Sequence, residues 1–179
     1  MNATFITMIS NLSQSLHPVQ VLISGFGYLI GITLFMIAIG KLRKIGDARA
    51  SGGGHEKMFV PLAYFLGGSA LIFLPSALTV LINTAFGSSS ILGYSEFNPY
   101  NIYDAMKIVM QTAGLLWFVR GTILLVHSSE AGVQDGPKGL TFLLAGILAM
   151  NFEGTIGFLN YVLNYLMNIG STTGTKPGA

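Results

Sequence analysis

Residues 19–40 read VQVLISGFGYLIGITLFMIAIG, 22 positions without a charge. A helix needs about 20 mostly apolar residues to cross the hydrocarbon core of a bilayer, so this run alone points to a membrane protein. Residues 58–86 repeat the signal over 29 uncharged positions. Composition agrees: charged residues are 9% and hydrophobic ones 51% of the 179 residues, whereas a soluble domain is about a quarter charged. The runs are long and do not alternate, which excludes a barrel, and lipid offers no partner to a free backbone amide, so each run must be helical. With no cysteine, neither a disulfide framework nor thiol chemistry is available.

Two further runs lie outward along the chain. One covers 105–127 and is interrupted only by Lys107 and Arg120; the other begins at Gly139 and is uncharged except for Glu153 until Lys176. The expected fold class is therefore all-α, a polytopic integral membrane protein with four transmembrane helices over about 19–40, 60–86, 105–127 and 139–160. Residues 1–179 form one membrane domain. Phe5, Met8, Ile9, Leu12 and Leu16 recur at helical spacing, which predicts a short interfacial helix before the first span. The leading residues have no basic region, so no cleaved signal peptide is expected. Residues 158–169 are expected to form an interfacial helix or helix extension, and 170–179 a flexible tail.

Topology follows from the basic residues. Lys41, Arg43, Lys44, Arg49 and Lys57 are five of the nine lysines and arginines, and basic loops stay on the cytoplasmic side. Loop 41–57 is thus placed inside, with both termini and residues 87–103 outside. Beside a bilayer these five residues set topology and touch anionic lipid head groups; nucleic acid is not an expected ligand.

Small residues mark the expected helix contacts. Gly27 and Gly31, Ala63 and Gly67, and Ala145 and Ala149 are small-xxx-small pairs, and Gly68 and Gly146 widen those faces. Such pairs let helix backbones approach closely in lipid, within a subunit or in a homo-oligomer. Pro75, mid-span, is expected to kink the second helix. The sequence shows no clear internal repeat; Leu66-Gly67-Gly68 and Leu144-Ala145-Gly146 are only loosely alike.

Two charges fall inside the spans. Arg120 lies roughly 10 Å from the inner end of its span, near enough to snorkel to the head groups. Glu153 lies about 21 Å into the fourth span if that helix is straight, so it needs a proton, water or a partner. Arg120 is one candidate partner. A helix over 139–170 would be about 48 Å long and must bend, tilt or emerge, with Gly154 and Gly157 as expected flex points. Asn160, Asn164 and Asn168 continue the row of Glu153 and Gly157 as a polar seam, which either lines a watery lumen or subunit interface or sits at the outer membrane surface.

No catalytic signature accompanies these features. His55-Glu56 has no second histidine at zinc-binding spacing, and the glycine-serine run at 87–90 lacks the lysine and context of a phosphate loop. No nucleophile–base pair or paired carboxylates stand out. The chain is expected to be non-enzymatic, without cofactor or metal.

Several segments in order carry a resemblance. They are Ser15-Leu16-His17-Pro18-Val19 before Leu22-Ile23-Ser24-Gly25 and Tyr28-Leu29-Ile30-Gly31, then Lys41-Leu42-Arg43-Lys44-Ile45-Gly46, Phe73-Leu74-Pro75-Ser76, and residues 139–155 with Gly146-Ile147-Leu148-Ala149-Met150-Asn151 and Gly154-Thr155. From about Leu16 to Phe158 the chain resembles the IcmC/DotE family of type IVB secretion systems and its TraQ-type conjugative relatives. The shorter IcmD group has a similar final span. The resemblance implies a bacterial inner-membrane component of a machine that moves protein or DNA between cells, a structural subunit of a ring, channel or pilus-like assembly working with other secretion or conjugation subunits. A small ion or proton pathway titrating at Glu153 is the alternative reading of the residues themselves.

Overall fold

A computed structural model describes residues 2–52, 58–87 and 102–173. Among them the chain is all-helical: α1 (Asn2–Ala50), α2 (Phe59–Ile72), α3 (Leu74–Phe86), α4 (Ile102–His127), α5 (Gly136–Met150) and α6 (Phe152–Thr173). Two helices, α1 and α4, are long and apolar enough to cross a membrane, or up to four spans result if α2–α3 and α5–α6 each count as one.

The separate short helix expected at the N-terminus is absent, because α1 runs unbroken from Asn2 through Pro18 to Ala50. Pro18 removes one intrahelical donor, and no glycine between Leu16 and Val19 supplies a turn. The second span breaks rather than kinks. α2 and α3 meet at 99°, and the break lies at Phe73 (φ −100°, ψ 37°), with Pro75 in the opening turn of α3. There its missing N–H costs nothing, while in a continuous helix its ring would meet the Leu71 carbonyl.

The fourth segment also breaks, by 98°, and does so at Asn151 (φ −103°, ψ 59°) instead of at Gly154 or Gly157. The asparagine serves both helices. Its backbone N–H donates to the Ile147 carbonyl (3.2 Å), and its Oδ1 accepts from the Gly154 N–H (3.4 Å) as an N-cap of α6. Thr155 Oγ1 donates to the Leu148 carbonyl (2.7 Å) and Gln111 Nε2 to that of Met150 (3.4 Å), so the open end of α5 is largely satisfied. A Cβ on Gly154 would lie 2.9 Å from Asn151 Cγ. Gly154 therefore makes room for the cap.

Packing joins two hairpins. α1 lies antiparallel to α2, and α4 antiparallel to α5; α4 also packs on α1 and α2. α1 and α4 run the same way, since Gln20 meets Thr112 near one end (3.0 Å) and Lys41 meets Glu130 near the other (2.9 Å). Phe118, Leu71, Leu74 and Ile82 are the largest fully buried side chains. Leu74, Leu78 and Ile82, one row of α3, turn that helix inward across the bundle.

The hairpins are built alike. A Cβ on Gly31 would meet the Gly68 carbonyl O at 2.8 Å and the Ile72 N at 2.7 Å; one on Gly114 would meet the Gly146 carbonyl O and the Met150 N, both at 2.9 Å. The reverse contacts correspond too, Gly68 with Gly31 and Phe35, Gly146 with Gly114 and Phe118. In each hairpin the break falls five residues after the short helix's glycine, at Phe73 and Asn151. The loose likeness of Leu66-Gly67-Gly68 to Leu144-Ala145-Gly146 is thus the trace of a structural repeat, parallel in the bundle.

Candidate functional site

Among the described residues, a connected polar group sits where α1, α2 and the turn after α4 converge. Glu130 Oε1 accepts from Lys41 Nζ (2.9 Å) and from Tyr64 Oη (2.6 Å). Lys41 stands over the Tyr64 ring at 5.0 Å, and the His127 ring lies 6.0 Å from it. The Tyr64 hydroxyl, then Lys41, hold the Glu130 carboxyl below its ordinary value. Tyr64 is buried and Glu130 is partly exposed. The arrangement neutralises a lysine at the end of the apolar layer and ties both hairpins together.

Of the five basic residues expected to set topology, Lys41 is thus spent within the fold, whereas Arg43, Lys44 and Arg49 are exposed on the last turns of α1. Lys57 lies outside the described residues.

The expected packing residues fall into three groups. Gly31, Gly68 and Gly146 make backbone-close contacts, and Gly67 is pressed by Val126 and Thr122. Gly27 makes a looser one, a Cβ there lying 3.6 Å from Leu74, while the buried Ala149 presses on α4, its Cβ 3.0 Å from where one on Gly114 would stand. Gly157 has nothing within 4 Å, and Ala145 is half-buried. Sequence reasoning passed over Gly114, Gly121 and Gly139. A Cβ on Gly121 would lie 2.9 Å from the Gly139 carbonyl O, and one on Gly139 2.8 Å from the Leu125 N. Their signal is there in the chain: Gly114 to Gly121 and Gly139 to Gly146 are both spaced by seven, so each pair falls on one helix face.

The two charges expected inside the spans do not pair with each other. Glu153 Oε1 accepts from Lys107 Nζ (2.8 Å), and Arg120 lies over the Phe142 ring at 4.9 Å. The two aromatics, Tyr64 under Lys41 and Phe142 under Arg120, occupy equivalent positions of the short helices, although their cations do not, since Lys41 aligns with Leu124 and Arg120 with Ile37. Asn160, Asn164 and Asn168 lie exposed on α6, in a row with Glu153 and Gly157, and α6 packs little on the bundle. Nδ2 of the buried Asn151 has no hydrogen-bond partner. Among the described residues no three His, Cys, Asp or Glu side chains come together as a metal site. Compared with known proteins, the chain matches no family model, no curated protein and no solved structure.

Proposed function

We propose that this chain is a non-enzymatic, self-associating subunit of a bacterial type IVB, conjugation-like secretion apparatus, held in the inner membrane as part of a ring, channel or pilus-like assembly. The observation that carries the reading is a coincidence of positions. The segments that resemble the IcmC/DotE family are those that shape the fold: Gly31 is a backbone contact, Phe73 and Asn151 are the breaks, Gly146 is the second hairpin's contact, and Gly154-Thr155 completes the α6 cap. The polypeptide crosses four times in this reading, with α2–α3 and α5–α6 as broken spans, the basic end of α1 in the cytoplasm and both termini outside.

The mass of the protein extracted with its surrounding lipid tests the assembly. A discrete multimer is expected, and a plain monomer would overturn self-association. The alternative, a small ion or proton pathway, predicts that Glu153→Gln alone abolishes proton flux in vesicles reconstituted with the protein. The subunit reading predicts no flux in either form.

A further inference from the structure

The internal repeat supplies a template for what lies beside the molecule. By the glycine contacts, Gly31 and Phe35 of α1 correspond to Gly114 and Phe118 of α4, while Gly68 and Ile72 of α2 correspond to Gly146 and Met150 of α5. The two hairpins nevertheless differ in surroundings. On α4 the strip Leu115, Val119, Thr122 and Val126 is buried, 3 to 9% exposed, because the α1–α2 hairpin lies on it. At its heart Gly67 of α2 is pressed against Val126 and lies with its Cβ position 3.6 Å from Thr122 Cγ2. The corresponding strip of α1, Ile32, Met36 and Ile39 followed by Arg43, is bare: the three apolar residues are 38 to 64% exposed. On the other hairpin Ala145, the counterpart of Gly67, is only half-buried, and Met110, the counterpart of Gly27, is 40% exposed.

We propose that a second copy of this chain occupies that strip: the α4–α5 hairpin of one copy lies on α1 of the next, as the α1–α2 hairpin lies on α4 within one chain. Ala145 of one copy then faces Ile39 of its neighbour in the way Gly67 faces Thr122. The inference rests on the self-association proposed above and specifies its surface. Apart from Arg43 at one end, the strip is apolar and bulky on α1 and meets the small Ala145 on α5, which suits association in lipid, where packing rather than water exclusion draws helices together. The contact is head-to-tail, so each added copy leaves the same strip open at one end, and repetition yields a ring if the rotation closes or a filament if it does not.

The chain has no cysteine, so crosslinking reports only introduced thiols. Ile39→Cys and Ala145→Cys combined in one chain, oxidised in membranes, are expected to give a reducible ladder of dimer and higher species. Coexpressed single variants are expected to give dimer and nothing larger. A matched pair on other faces of the same helices, Ile37→Cys with Leu144→Cys, is expected to give several-fold less. Both test positions are exposed or half-buried, and mass measurement on each variant checks that it assembles as the parent does. If the parent is a multimer yet Ile39 with Ala145 crosslinks no better than the matched pair, this interface is overturned, the strip faces lipid, and self-association stands on another surface. If the parent is a monomer, both readings fall.

Discussion

Gly114 and Gly146 touch backbone to backbone: a Cβ on Gly146 would lie 2.8 Å from the Gly114 carbonyl O, and one on Gly114 2.9 Å from the Gly146 carbonyl O. Neither obstacle is a side chain that could rotate away. Gly146→Val is therefore expected to push α4 from α5 at a cost of about 1–3 kcal/mol or more. Gly157→Ala, with open space around it, is expected to be neutral or stabilising by roughly 0.5–1 kcal/mol through helix propensity. Denaturant titration of helicity in detergent separates the two, and equal midpoints for both variants would contradict the contact.

The Glu130 clasp has a signed pH dependence. Its carboxyl is held below its ordinary value by Tyr64 and then Lys41, so the ionised form favours the folded state. That contribution is full above the unfolded carboxyl range, near pH 4, and is lost as pH falls through the lower folded value. Stability should thus drop on acidification. Glu130→Gln should flatten that part of the profile, and Tyr64→Phe should cost about 1 kcal/mol at neutral pH. A Glu130→Gln profile that falls as steeply as the parent's would exclude the clasp as its source.

Lys107 and Glu153 join α4 to the first turn of α6 at 2.8 Å, with the glutamate side chain 57% exposed. Exposed pairs contribute little, so Lys107→Ala or Glu153→Gln should each shift stability by less than about 1 kcal/mol. Specificity is the sharper readout. Charge reversal at either residue should loosen α6, and Lys107→Glu with Glu153→Lys should restore it, whereas Arg120→Glu with Glu153→Arg should not. Protease sensitivity of α6 in vesicles measures the restoration.

The 98° turn at Asn151 can be read as a distance. Spin labels at Leu140→Cys and Leu163→Cys, both exposed positions, should lie about 23 Å apart across the bend, against about 35 Å along a straight helix. A distribution centred on the longer value would show α5 and α6 to be one helix.

The apolar runs, all-helical class and several glycine contacts could be read from the chain because each depends on local composition or on spacing along one helix. Glu153 shows where that stops. Its depth follows from counting along an assumed straight segment, and Asn151 ends that segment two residues earlier. An asparagine in an apolar run carries two opposite meanings, a polar group needing a partner or a cap that makes a corner, and only the neighbouring Gly154 and Thr155 decide between them. Lys107 as its partner depends on the register of α5 along α4, a tertiary quantity. The same holds for Tyr64 and Glu130, which lie 66 positions apart. The repeat is faint in the sequence because it rests on four glycines and two phenylalanines, Gly31, Gly68, Gly114, Gly146, Phe35 and Phe118, while the residues between them differ.

Finally, α1 holds 49 residues in one piece, about 73 Å of rod, where a bilayer with its head groups is only about 40–45 Å thick. Set upright in such a bilayer, as the four-crossing proposal has it, the rod would project by about 30 Å. No corner interrupts it, so the orientation of one end dictates that of the other.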